Sequence, residues 1–198
     1  KNILKQRRSL GETALRHGLT PAFAVEVLAS SLEKLRAVRA QRPRPQLDDK
    51  VITAWKGLMI SALARGAVSP AGCLADKREF YRDAAGRAAE FVRRELSDEG
   101  RGVLYRCFRD GRGADEGFAE DYAYLTAGLL DLYDATFEVR WLQWAEKLQA
   151  TMDALFWDET GGGYFNSRAG DASIVLRLKE DHDGAEPSPN SVAAANLL

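Results

Sequence analysis

Histidine and cysteine are almost missing from this sequence, with two of each in 198 residues. The cysteines, Cys73 and Cys107, form no CxxC pair, so neither a disulfide framework nor a thiol-exchange motif is written here, and a cytoplasmic setting is expected. His17 and His182 cannot supply a zinc ligand set with so few cysteines beside them. Long apolar runs are lacking as well. None reaches the roughly 20 residues of a membrane span, and Gln6, Arg7 and Arg8 leave no room for a signal-peptide hydrophobic region, so no membrane association is expected. Nor does one sign of charge prevail: 28 basic and 29 acidic residues give a formal net charge of -1, which creates no field for nucleic acid. The basic clusters Lys5, Arg7, Arg8 and Arg36, Arg39, Arg42, Arg44 read as solvated helix faces.

What is present is the composition of an ordinary globular unit, 45% hydrophobic and 29% charged. A first helix is expected from Thr20 as N-cap and Pro21 at the first helical position, carrying Val25, Leu28, Leu32 and Leu35. It ends before Arg42-Pro43-Arg44-Pro45, an extended linker, because proline and the residue before it cannot continue a helix. From there two kinds of helix alternate. The stretch from Val51 to Ile60 is apolar on nearly every face, the pattern of an enclosed inner helix, whereas Lys77 to Leu96 confines Phe80, Tyr81, Ala84, Ala88, Phe91 and Val92 to one stripe, the pattern of an outer one. Phe118 to Tyr133 is again apolar all round, and Trp141, Ala145, Leu148, Met152 and Leu155 again form a narrow stripe.

Inner helices are thus predicted near 51–66, 118–134 and from Ser188 onward, with outer ones near 77–97 and 138–156. Val103 to Arg109 and Tyr164 to Lys179 are predicted strands or hairpins leading from each outer helix to the next inner one, the second turning near Gly170. Gly161-Gly162-Gly163 follows a helix instead of opening one, so it ends that helix and cradles no phosphate. Asp98 to Asp158 and Glu120 to Glu186 repeat at about 60 to 66 residues, the scale of a two-helix repeat with an inserted hairpin.

Three strings are more specific than any periodicity. They are Arg44-Pro45-Gln46-Leu47-Asp48-Asp49-Lys50-Val51-Ile52-Thr53-Ala54-Trp55, Gly117-Phe118-Ala119-Glu120-Asp121-Tyr122-Ala123, and Asp183 through Ala194. In this order they resemble the C-terminal region of the spermatogenesis-associated protein 20 family. Lys56 and Pro189 depart from the asparagine and glycine usual at those places. The resemblance implies an all-α fold, part of an (α/α)6 toroid similar to six-hairpin glycosidases and acylglucosamine epimerases. It also implies a thioredoxin-like domain N-terminal to the toroid, outside this chain, as a partner. The expected organisation is one toroid fragment over 1–198, with leading helices and a proline linker over 1–47 and about two and a half repeats over 48–198.

Acidic residues fall at or before each predicted inner-helix start: Asp48 and Asp49, Glu120 and Asp121, Asp183 and Glu186. In a toroid those starts share one rim. N-capping and the helix dipole account for carboxylates there at roughly 0.3 to 1 kcal/mol each, without any ligand. The functional alternative is that converging acids furnish the two carboxylates of glycoside hydrolysis, with Asp49, Asp121 and Glu186 catalytic. Asp48, Trp55, Glu120, Tyr122, Asp183 and Asn190 would then contact substrate, with Tyr124 a further aromatic for stacking on sugar rings, unless the aromatics are simply core. Epimerases of the related fold use histidine as acid and base, which two histidines poorly serve, and His182 reads as a loop residue. The Asp181-His182-Asp183-Gly184 string lacks the spacing of a calcium loop, so no metal and no cofactor are expected. The function expected is a carbohydrate-active or carbohydrate-binding domain, hydrolase-like or epimerase-like if catalytic. Its rival is a helical scaffold that recognises a protein or peptide partner.

Overall fold

A computed structural model describes residues 5–70, 76–171 and 174–198; Cys73 and part of the hairpin predicted over 164–179 therefore lie outside the described residues. The chain divides into two compact units, Lys1–Asp48 and Asp49–Leu198.

The first unit holds α1 (Leu10–Arg16) and α2 (Pro21–Ala40). Sequence reasoning did not place α1, although its signal is written in Ser9-Gly11-Glu12: the Ser9 hydroxyl accepts from the Glu12 N–H at 3.2 Å while the Glu12 carboxylate accepts from the Ser9 N–H at 2.9 Å. Helix α2 starts where Thr20 caps the Phe23 N–H and Pro21 needs no donor, as predicted. Its Val25, Leu28, Leu32 and Leu35 are exposed in this unit.

The second unit is all-α in architecture. Elements follow as β1 (Val51–Ile52), α3 (Thr53–Val68), α4 (Arg78–Phe91) running into a π-helical turn (Val92–Leu96), β2 (Ser97–Asp98), β3 (Val103–Leu104), β4 (Cys107–Phe108), α5 (Ala119–Thr136), α6 (Val139–Phe156) and α7 (Pro189–Asn196). Helices α3, α5 and α7 pack side by side, with α4 against α3 and α6 against α5. This is the alternation of inner and outer helices in an arc of an (α/α) toroid. Helix α5 is buried around most of its circumference, whereas α6 buries the single stripe Trp141, Trp144, Ala145, Leu148, Met152 and Phe156.

Two expectations shift. Helix α3 begins at Thr53 instead of 51, because Val51 and Ile52 pair antiparallel with Phe108 and Cys107, and the Thr53 N–H goes to the Arg106 carbonyl at 2.9 Å. It is also less enclosed than its composition suggests: Trp55 and Met59, one turn apart, are about half exposed. The other shift concerns 164–179, which forms no strand ladder among the described residues. The Asn166 N–H reaches the Leu178 carbonyl at 2.8 Å, and side chains hold the rest: Arg177 to the Ser167 carbonyl and Lys179 to the Gly162 carbonyl. Gly170, at φ +79°, takes the left-handed conformation the turn needs. The segment before it, 103–109, does form strands, and β2 pairs with β3 in the register Ser97 to Leu104.

What sets the spacing of the inner layer is a backbone-to-backbone contact. A Cβ on Gly57 would lie 2.4 Å from the Tyr124 carbonyl carbon and 2.5 Å from the Leu125 nitrogen, and one on Gly128 would lie 2.5 Å from the Gly57 oxygen. Only glycine admits that approach on both helices, and main chain cannot rotate aside as a side chain can. Gly57→Ala is therefore expected to destabilise the chain by about 3 kcal/mol in chemical denaturation. The same change at Gly86 of α4, where a Cβ meets nothing within 4 Å, should instead be neutral or stabilise by about 0.5 kcal/mol. Equal and small effects at both positions would refute the close contact.

Candidate functional site

The N-termini of α3 and α5 meet at one side chain. Asp121, at the third position of α5, is completely buried; its carboxylate accepts from the Phe118 N–H of its own helix at 2.9 Å and from the Ala54 N–H at the start of α3 at 2.8 Å. No residue at the start of α3 provides a side-chain cap, so Asp121 does for that helix what a local Ser or Asp does elsewhere. The third donor is Arg106 from the β3–β4 turn, 3.2 Å away. Burial pushes the Asp121 carboxyl up to about 6, against these three donors, which favour its ionised form.

Arg106 carries the arrangement outward. Its guanidinium also binds Glu120 at 2.6 Å and lies over the Phe118 ring, 4.8 Å from its centre. Glu120 and Asp121 are thus consecutive residues with different surroundings: one sealed, the other partly open and facing a cleft of about 300 Å³. On the neighbouring side, the exposed Trp55 donates its indole N–H to Glu186 at 3.0 Å. Tyr124 of α5 donates its hydroxyl to the Pro187 carbonyl, just ahead of α7. Burial, and after it the negative charges of Glu120, Glu186, Glu180 and Asp183, push that hydroxyl up to about 12. The phenol thus lies in the combined field of four acids.

The remaining residues singled out in the sequence are placed as follows. Asp48 is exposed in the extended segment before β1. Asp49 is exposed and pairs with Arg109 at 3.0 Å, so it caps no helix. Tyr122 is in the core: its hydroxyl accepts from the Leu104 N–H at 2.9 Å and its ring packs on Phe156, which leaves no face for a ligand. Asp183 accepts from the Ser188 N–H at 2.8 Å, just ahead of α7, and that bond holds its carboxyl below the usual range. Asn190 uses its whole amide to hold backbone, accepting from the Tyr164 N–H and donating to the Tyr164 and Glu180 carbonyls. His182 is exposed. Among the described residues no three His, Cys, Asp or Glu side chains are arranged to hold a metal ion, and no helix is long and apolar enough to cross a membrane.

These placements can be set beside known proteins. The chain is 47% identical to human spermatogenesis-associated protein 20 over its full length, covering 26% of that protein, and 45% identical to the mouse protein, covering 25%. An uncharacterized protein of Caenorhabditis elegans is 35% identical over the whole chain, which covers 27% of it. Over its whole length the chain is homologous to part of the proteins named spermatogenesis-associated protein 20. It spans about a quarter of the length of the curated relatives it matches. No family model matches it. Among solved structures a D-mannose isomerase aligns with a TM-score of 0.45 and 12% identity, over 72% of this chain and 38% of that one.

The residue that sequence reasoning missed is Arg106. Nothing in the alternating stretch 103–109 marks it, because its partners, Glu120 and Asp121, lie beyond the turn that follows and become neighbours when that turn folds back, the Arg106 N–H bonding the Asp115 carbonyl and the Gly117 N–H the Leu104 carbonyl. Asp121 gives a pH signature. A buried carboxyl whose folded value lies above the usual 3.8 takes up its proton in the native state before the unfolded chain does, so its contribution to stability grows as pH falls through about 6 toward 4 and is lost as pH rises through 6. Denaturation of the parent chain and of Asp121→Asn at a series of pH values is expected to show the parent gaining on the variant by up to about 3 kcal/mol across that window. A pH-independent difference would mean that the carboxyl titrates normally.

Proposed function

We propose that the rim at the inner-helix N-termini binds a carbohydrate, with Trp55 as the stacking surface and Glu186 and Glu120 as the carboxylates that meet its hydroxyl groups. The observation that carries this reading is Trp55: 54% of its surface stays exposed while its only polar atom is tied to Glu186. An indole anchored by its N–H edge offers carbon surface to solvent at a fixed angle, and such a surface packs on the C–H face of a sugar ring. A carboxylate held beside that ring accepts from vicinal hydroxyls, and charge-assisted bonds of this kind are about twice as strong as neutral ones.

Two carboxylates at one bound sugar are also the equipment of glycoside hydrolysis. In this reading Glu120 and Glu186 take those roles. Asp121, without exposed surface, holds the frame instead of touching substrate, and Asp49, tied to Arg109, stands at the margin. Epimerisation is the weaker chemistry, since His182 is exposed and the described rim residues include no other histidine.

The test uses the full-length protein that contains this chain, titrated calorimetrically with a panel of mono- and oligosaccharides. Trp55→Ala is expected to weaken binding about tenfold or more, and Glu186→Gln comparably, with melting temperatures unchanged because both side chains are exposed. No binding by the folded parent protein, or the same affinity in Trp55→Ala, would reject the reading in favour of a scaffold that recognises a protein or peptide partner.

A further inference from the structure

The cleft beside Glu120 differs from the rim it opens onto. Its walls are Phe118, Ile174, Leu176, Leu178 and Pro189, and the ionisable group at it is Glu120. The polar atoms nearby are largely spent within the chain. The Asn166 carbonyl accepts from the Ala119 N–H and its side chain from the Glu180 N–H, the Ser167 carbonyl accepts from Arg177, and Glu120 itself binds Arg106. What the cleft presents inward is therefore mostly hydrocarbon. A free sugar pushed into it would lose water from several hydroxyls and find few partners, at a cost of the order of 1 to 3 kcal/mol for each group left unpaired.

Two further observations bear on what does fit. Leu176 and Leu178, alternate residues of one segment, are 71% and 61% exposed, so a hydrophobic edge stands uncovered at the cleft mouth. The volume, about 300 Å³, is at the lower limit of small-molecule sites and is too small for a helix or a folded partner. The cleft and the rim share residues: Glu120, a carboxylate of the rim, lines the cleft in the first turn of α5, and Pro189, the first residue of α7, lines it from the other inner helix.

We infer that the cleft takes an apolar substituent, an aryl or short alkyl group, carried by the sugar that the Trp55 rim binds. The ligand class is then a hydrophobic glycoside and not a free sugar. This rests on the carbohydrate reading of the rim for the sugar half of the ligand, but the apolar half can be examined separately. Charge agrees with a neutral substituent: Glu120, already paired with Arg106, would repel an anionic group and gains nothing from an uncharged one.

The experiment measures, on the full-length protein, affinities for the methyl and 4-nitrophenyl glycosides of a set of hexoses, and for 4-nitrophenol alone, all at a mildly acidic pH where the phenol is uncharged. The 4-nitrophenyl glycoside should bind about tenfold or more tightly than the methyl glycoside of the same sugar. Leu176→Gln and Leu178→Gln, both at exposed positions that folding tolerates, should remove that preference while leaving methyl glycoside affinity unchanged. Equal affinity for the two glycosides overturns the inference and leaves the carbohydrate reading standing. A preference that survives in both variants places the apolar contact elsewhere and also overturns it. Binding of 4-nitrophenol that the variants abolish, with no gain from any sugar, supports the apolar cleft and sinks the carbohydrate reading. Absence of binding by all three probes overturns both.

Discussion

Helices α3 and α5 touch main chain to main chain at Gly57 and Gly128, and the rest of the second unit follows from how near that contact brings them. Ordinary helix pairs stand 8 to 10 Å apart with side chains between. Here there is no room for even a methyl group, so one turn further toward the N-termini the Ala54 N–H comes within 2.8 Å of the Asp121 carboxylate. A bond of that length cannot span a gap filled by side chains. The two glycines and the buried aspartate are therefore parts of one device: the first sets the separation of the inner helices, and the second fixes their register along the axis.

The device also explains a residue that could be mistaken for a catalyst. A carboxyl raised to about 6, next to a second carboxylate and an arginine, has the electrostatic profile commonly used to nominate a general acid. Geometry decides against it, because Asp121 has no exposed surface and three donors already engage it. The raised value is the cost of burial at a joint between two helices. Its neighbour in sequence faces outward because consecutive helical residues point about 100° apart, so one turn of backbone provides both a sealed anchor and an open carboxylate.

Much of this was legible in the residues. Ser188 and Pro189 announce α7, Thr20 and Pro21 announce α2, and the contrast between all-round and one-stripe apolar patterns separates α3 and α5 from α4 and α6. Those features are local, set by caps and by a 3.6-residue period. What was not legible is relational. The Asp48-Asp49 pair reads as a cap for α3 by position alone, yet two residues of strand intervene and the cap comes from Asp121, 67 residues away. Tyr122 and Trp55 are both aromatic residues near inner-helix starts, but one lies in the core and the other is half exposed, a difference that depends on which side of each helix its neighbours cover. Glycine in an apolar helix was the available clue to the α3–α5 contact, and composition alone does not say whether such a glycine marks a close approach or merely a weak point.

The rim's acids divide by what each can still bind. Asp183 holds the Ser188 N–H and Asp121 the two helix starts, so both serve the frame. Glu186 accepts from Trp55, and Glu120 accepts from Arg106; each is held in place by one donor on an otherwise accessible group. A carboxylate with two oxygens and about four lone-pair sites is not exhausted by one such bond. Orientation without saturation is what a binding group requires: an unheld carboxylate would lose side-chain entropy when a ligand arrives, and a saturated one would have nothing to offer. Asp121 is sealed with three donors on it and Asp183 holds the backbone that leads into α7, whereas Glu120 and Glu186 are each held by a single side-chain donor, a distinction that helix position alone could not have drawn.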